Sequence, residues 1–267
     1  MRTGKNNQAG FVLIDLVVSV AIIALLAAIL TPVLATARKQ VLQYDCSSRQ
    51  RQLGKAILMY TQDYDEGLPI CAAFNRYSQQ TISSWDAAVS TYTSYHGPVT
   101  ETAALAASGA IFRCPLDRIQ KEGDAPRSFA MPITGNACMG DNEGVAGNWV
   151  YESTSLYTHS RMLAELPDQS GTILLVEFHH PLNRLFGGWA AGIHGPIYAP
   201  GECGTGPLAQ ERSEKTVKPP ADGMSHLGGY NYTFSDGHAK WMQPFQSMGT
   251  AGKPGDPQGP WTIADND

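Results

Sequence analysis

The side chains with metal-binding chemistry cluster late in the chain. His226, Asp236 and His238 lie near one another in sequence, and Asp236 and His238 stand two residues apart, on one face if the segment is a strand. Glu177 and His179 repeat that spacing. If the two strands pair, imidazole and carboxylate donors converge. The competing reading has Asp236 shaping a turn and His226 hydrogen-bonding the hairpin or its loop. No His-Glu-x-x-His, Cys-x-x-Cys or carboxylate ladder accompanies these residues, so we expect no resident metal or other cofactor, with these five as the candidates if one is present. Asp141, Asn142 and Glu143, in a Gly-rich stretch, offer oxygen ligands for calcium but lack EF-hand spacing, and read as a solvated loop. No Gly-x-Ser-x-Gly elbow marks a nucleophile, and the glycine pairs at 187–188 and 228–229 lack the strand-to-helix setting of a phosphate cradle. The expectation is therefore a chain that is not an enzyme.

The five cysteines (46, 71, 114, 138 and 203) are too scattered for a disulfide framework. A Cys114–Cys138 bridge is permitted outside the cytoplasm, but the sequence leaves the pairing open. The five tryptophans are spread through the body, as core or loop residues rather than as a platform for a sugar or a base. Net charge is −5, from 19 Lys and Arg against 24 Asp and Glu, which gives no reason to expect nucleic-acid binding.

The elements that must position these groups begin with an apolar rod. From Leu16 to Ala37 no residue is charged, and Arg38 and Lys39 follow at once. A helix of that length spans a bilayer core, and the basic edge suits anionic headgroups. The run is too long for the apolar core of a secretory signal peptide, although Ala35-Thr36-Ala37 resembles a cleavage site. Two residues do not suit a plain anchor. Asp15 places a carboxylate at the start of the run, and Pro32 frees a backbone carbonyl inside it. Beyond residue 37 the apolar positions Val41, Leu42, Cys46, Leu53, Ile57, Leu58, Tyr60 and Tyr64 keep mostly helical spacing. One helix from about Phe11 to Asp65 is expected, stopping at Glu66-Gly67-Leu68-Pro69. Further on, Ser84–Val89 and Thr100–Leu105 read as short helices. Residues 117–150 read as loops around a strand at Ser128–Met131, and Gly171–Phe178 reads as the strongest strand. Tyr230–Phe234 and His238–Met242 form a hairpin about Asp236-Gly237.

The segment Gly10-Phe11-Val12-Leu13-Ile14-Asp15, preceded by Arg2 and Lys5 and followed by the apolar run, resembles the start of a type IV pilin-like or type II secretion pseudopilin precursor. The resemblance implies a leader at 1–10, a helix at 11–66 with its 11–37 half serving as membrane span and filament core, and a pilin-like α+β head at 67–267. It also implies cleavage between Gly10 and Phe11 by a prepilin peptidase, with N-methylation of Phe11. The family's usual glutamate is Asp15 here, which would pair with the N-terminal amine of a neighbouring subunit, and Pro32 falls where the family commonly has a helix-breaking proline. A second resemblance covers more of the chain. His226, nine residues, then Asp236-Gly237, together with Cys114-Pro115 and Gly171-Thr172-Ile173-Leu174, is similar to a family of pilin-like proteins abundant in environmental bacteria. The expected fold is a long N-terminal helix packed on a small antiparallel sheet with long loops. The expected function is a structural subunit of a pilus-like or pseudopilus filament, stored in a bacterial inner membrane with its head outside the cytoplasm. Its expected partners are the peptidase, an inner-membrane assembly platform, other pilin-like subunits and the bilayer. The alternative is a membrane-anchored, extracytoplasmic ligand-binding module that never polymerises.

Overall fold

The computed structural model describes residues 8–75, 80–93, 109–118, 127–136, 140–151, 156–157, 160–179, 183–185, 192–193, 226–243 and 246–247. The chain divides into two units, residues 1–41 and 42–267. Helix α1 runs from Gln8 to Asp63 and contains Pro32 without interruption. Within it, Thr31 Oγ1 donates to the Ala27 carbonyl at 2.7 Å and Thr36 Oγ1 to the Pro32 carbonyl at 3.2 Å, so hydroxyls supplement the ladder beside the missing N–H.

The first unit is helix alone. Residues 14–41 are exposed on every side, with Leu16 at 63%, Leu25 at 64% and Leu34 at 72%. Apolar side chains around the full circumference make this a lipid-facing helix rather than an amphipathic one. It is the one helix among the described residues long and apolar enough to cross a membrane. The chain is accordingly a single-pass membrane protein with an extracytoplasmic helix–sheet domain.

In the second unit α1 turns amphipathic. Cys46, Gln50, Leu53, Ile57 and Thr61 recur at three- and four-residue steps and are all buried, while Arg51, Gln52 and Lys55 face water. The helix ends differently from the expectation. Asp65 and Glu66 take the left-handed conformation (φ 50° and 62°), and Gly67, expected as the stop, follows them. Glu66 N donates to the Thr61 carbonyl at 2.8 Å and Gly67 N to that of Tyr64 at 2.9 Å, closing the end.

The head is α+β: α1 packs on a small, mainly antiparallel sheet system. Its elements are β1 (Ala72–Asn75), β2 (Gln80–Ser84), α2 (Trp85–Val89), β3 (Phe129–Pro132), β4 (Thr134–Asn136), β5 (Gly140–Glu143), β6 (Asn148–Tyr151), β7 (Leu156–Tyr157), β8 (Ile173–Glu177), β9 (Gly192–Ile193), β10 (Tyr230–Phe234) and β11 (Ala239–Met242). One sheet has the order β2-β1-β6-β7, a second β11-β10-β8-β3-β9, and β4 pairs β5. Each larger sheet contains one parallel pair, β1 with β6 and β3 with β9. The strand expected at Ser128–Met131 is β3, while the loops expected around it carry three further short strands (β4 to β6). The helix expected at Thr100–Leu105 lies outside the described residues.

The central strands of the five-stranded sheet, β8 and β3, are buried on both faces. Tyr232, Phe234, Val176, Ile173, Phe178 and Ala130 form a cluster on one side, while Leu174, Leu175, Phe129 and Met131 join Cys46, Leu53 and Ile57 in the main core. A register shift opposite Thr233 and Phe234 accounts for β8: the extra residue lets Leu174 and Leu175 both join the helix-side core. The residues of β10 that face α1, Asn231 and Thr233, are polar, and both bond to Gln50. Gln50 Nε2 donates to the Asn231 carbonyl at 3.0 Å, and Thr233 Oγ1 donates to Gln50 Oε1 at 3.2 Å.

This clamp needs close approach, which glycine supplies on both elements. A Cβ on Gly54 would lie 2.7 Å from Thr233 Cγ2 and 3.3 Å from the Gly237 backbone. Gly237 takes φ 87° in the β10–β11 turn, and a Cβ there would meet Leu58 Cδ1 at 2.9 Å. Gly237→Ala therefore meets backbone strain and a clash together. It is expected to lower stability by about 1–3 kcal/mol, measured by denaturant unfolding of the full chain in detergent. An unchanged midpoint would show that the turn does not press on α1.

Candidate metal centre in the head core

Four segments far apart in sequence meet under the sheet. Cys46 lies on the buried stripe of α1, and Cys114 follows the 3₁₀ turn Gly109–Phe112. Glu177 ends β8, a central strand, and His226 precedes β10. Their ligand atoms all lie within 4.8 Å of one another, and all four residues are buried. Cys114 Sγ is 3.2 Å from His226 Nε2 and 3.7 Å from Glu177 Oε2, and His226 Nε2 is 3.3 Å from Glu177 Oε2. A tetrahedral zinc with bonds of about 2.0–2.3 Å holds its donors roughly 3.3–3.8 Å apart. His179 Nε2 stands beside the quartet, 3.5 Å from Glu177 Oε2, with its side chain only 3% exposed.

Each donor is held by its own neighbours. Arg49 grips Asp45 through two hydrogen bonds (Nε–Oδ1 3.0 Å, Nη2–Oδ2 2.8 Å) and also donates through Nη1 to the carbonyls of Ala110 and Arg113. One turn of α1 thereby fixes the backbone that presents Cys114. Glu177 is oriented by division of labour: Oε1 accepts the Asn231 backbone N–H at 2.7 Å and its side-chain amide at 2.8 Å, which leaves Oε2 for the cluster. His226 is set by a backbone bridge with Gly229 (2.8 Å and 3.2 Å), and its carbonyl accepts Trp241 Nε1 at 2.7 Å. Asn183 Nδ2 donates to the Phe178 carbonyl at 2.7 Å and steadies the approach to His179.

The local electrostatics separate this site from the ordinary core. Burial pushes the Cys71 thiol up to about 12, as expected of an inert buried cysteine. Burial also acts to raise Cys114, but the Cys46 thiol and the His179 and His226 imidazoles beside it hold it far below the usual thiol range. His226 shows the converse: burial lowers it, and Cys114 and Glu177 raise it above the ordinary imidazole range. Cys46, by contrast, is pushed up by burial and by the Cys114 sulfur beside it, so the pocket favours one thiolate, at Cys114, next to the imidazoles; a metal would take that thiolate with His226 neutral. His226 Nδ1 and both ring nitrogens of His179 are buried without a hydrogen-bond partner among the described residues.

The sequence grouped Glu177, His179, His226, Asp236 and His238, and the fold divides that group. Glu177, His179 and His226 come together, whereas Asp236 and His238 lie past the other end of β10. There Asp236 Oδ1 accepts the His238 N–H at 3.0 Å and meets Nδ1 of the same residue at 2.6 Å, with both side chains well exposed. Asp236 shapes the turn, and the His238 ring stacks on Phe234 with centroids 4.4 Å apart. His226 touches the hairpin through its carbonyl, while its ring belongs to the cluster.

The sequence does not mark Cys46 or Cys114 as a candidate ligand. The signal for Cys46 was its place on the apolar stripe of α1, which says buried but not ligating. Cys114 is 63 residues from Glu177 and 112 from His226, so no short motif could reveal it. Cys46, Cys71 and Cys114 are free thiols, and Cys138 lies outside the described residues. The expectation of a chain without enzymatic or cofactor chemistry does not stand: a buried quartet of two cysteines, a histidine and a glutamate, able to hold a metal, removes the basis for a purely structural head.

The remaining candidates are dispersed. Gly10 and Phe11 lie within the α1 backbone, and their side chains fall outside the description. Asp15 is exposed, and its carbonyl accepts Ser19 Oγ at 2.6 Å. Pro32 is inside α1. Asp141, Asn142 and Glu143, expected in a loop, belong to β5, which pairs with β4. The chain matches no family model, no curated protein and no solved structure.

Proposed function

We propose that the chain is a pilin-like subunit, stored in a bacterial inner membrane by the first half of α1 and assembled into a type IV pilus-like or type II secretion pseudopilus filament. A prepilin peptidase cuts between Gly10 and Phe11, the new amine of Phe11 is methylated, and Asp15 of one subunit neutralises the amine of a neighbour. An inner-membrane platform then draws subunits out of the bilayer into an extracellular or periplasmic polymer, in which helix packing replaces lipid. Pro32 eases local adjustment of the helix during that exchange. The head is not inert cargo in this reading, since it carries the buried quartet.

The observation that supports the proposal is the continuity of α1. An anchor that only tethers a domain is served by any linker after its span. Here one unbroken helix has residues 14–41 exposed around their whole circumference and then supplies Cys46, Gln50, Leu53 and Ile57 to the core of the head. A head built directly on the spanning helix suits lateral packing of whole subunits.

N-terminal mass spectrometry of the protein from its native host, with membranes and sheared extracellular material taken separately, tests the processing step. Chains beginning at N-methylated Phe11 are expected in the sheared fraction. Full-length chains confined to membranes would sink the filament reading and leave an anchored binding module.

The pairing role of Asp15 has its own test. Asp15→Ala leaves an amine without a counter-charge in the packed filament, where breaking a buried pair costs about 3–5 kcal/mol. The sheared fraction is expected to fall by about tenfold or more, with membrane levels unchanged and recovery in Asp15→Glu. Equal shedding by Asp15→Ala would remove Asp15 from assembly.

A further inference from the structure

We infer that Cys46, Cys114, Glu177 and His226 form a metal site in the head, filled by a divalent transition ion of zinc's character, and that this ion fastens α1 to the sheet and to the C-terminal hairpin. The inference stands independently of the filament reading.

The donor set selects the metal class. Two sulfurs, one imidazole nitrogen and one carboxylate oxygen suit zinc or a close relative and exclude magnesium and calcium, which take oxygen ligands. The three separations among Cys114, Glu177 and His226, 3.2, 3.3 and 3.7 Å, lie close to those a tetrahedral ion imposes, and the Cys46 sulfur lies within 4.8 Å of each of these donors. The supporting contacts are also in place. Asn231 occupies Glu177 Oε1 and leaves Oε2 directed at the cluster, while Arg49 anchors the turn that ends at Cys114.

Burial supplies a second, independent observation. His226 Nδ1 and both nitrogens of His179 are sealed in the core without hydrogen-bond partners among the described residues, although buried polar atoms are otherwise satisfied almost everywhere in proteins. His179, 3.5 Å from Glu177, is placed to support the ligand carboxylate or to enter the coordination sphere as a fifth donor.

The ligands are spread over α1, the turn before β3, the end of β8 and the start of the hairpin. Binding free energy is then folding free energy, because the unfolded chain has no such site. The His226-to-Gly237 spacing acquires a physical meaning. Its first residue ligates beside the upper end of β10, and its last packs on Gly54 and Leu58 at the other.

The test uses the full-length protein, purified in detergent under reducing conditions without added metal. Elemental analysis is expected to find about one zinc per chain. After removal by chelator, the thermal midpoint is expected to fall and to return with zinc. Cobalt(II) in place of zinc is expected to give the visible bands of a tetrahedral site and a sulfur-to-cobalt charge-transfer band. Cys46→Ser and Cys114→Ser should each weaken the charge-transfer band, and Asp236→Asn should leave it unchanged. Because a cysteine variant can fail to fold, the wild-type cobalt spectrum decides by itself. Three results would overturn the inference: no uptake of zinc or cobalt by the folded chain, cobalt bound without a charge-transfer band, or Cys46 and Cys114 found joined as a disulfide in protein from the native host.

Discussion

A single helix serving two solvents is the constraint on which the rest of the molecule depends. Residues 16–37 of α1 carry no charge and are exposed all round, a surface tolerable only in lipid or against other helices. Beginning at Leu42, the same helix must satisfy a water-soluble head. Between the two regimes stand Arg38 and Lys39, and across them the pattern switches from uniformly apolar to a stripe through Cys46, Gln50, Leu53 and Ile57. That stripe is then the template for the head. The five-stranded sheet presents Leu175, Phe129 and Met131 to it, and Gln50 bonds the polar inward positions of β10. Gly54 sets how closely helix and hairpin approach, because a Cβ there would press on Thr233 and the Gly237 backbone, while Gly237 supplies the positive φ of the turn.

Much of this architecture was legible in the sequence because it rests on local signals. Charge-free length marks the span, three- and four-residue spacing marks the stem, and Asp236-Gly237 between alternating segments marks the hairpin. The β8 strand was visible as an apolar run, although its bulge was not, since the extra residue is defined only by its partner β10. The helix ends two residues before the expected Asp65, and its stop is built differently for a related reason. Gly67 is the residue best suited to a left-handed turn, yet Asp65 and Glu66 adopt it, and Gly67 is drawn into a bridge with Met162. Tertiary pairing overrode local preference.

The candidate site was half legible. Glu177, His179 and His226 belong to types that suggest ligation, and pairing of β8 with β10 brings them together. His238 fell away because the strand carries it past the turn. Cys46 and Cys114 carried no spacing signal at all: one sits on an apolar helical stripe and the other before a proline, both ordinary places for a buried cysteine. Only the fold makes them neighbours.

Comparison with another buried charged group in the head shows why the quartet is unusual. Arg127 and Asp86 are fully buried, but their charges cancel, Arg127 Nε donates to Asn183 Oδ1 at 2.7 Å, and the guanidinium lies 5.6 Å from the Trp85 ring centre. That pair is complete within the chain, so its burial is offset locally. The quartet contains two thiols, a carboxylate and an imidazole, with a second imidazole adjoining. Without a metal, the thiolate character of Cys114 is opposed by the two imidazoles, and the Cys46 thiol lies beside it. A divalent cation at the centre would take the place of those protons, binding the sulfurs and the Glu177 carboxylate while accepting the lone pair of His226.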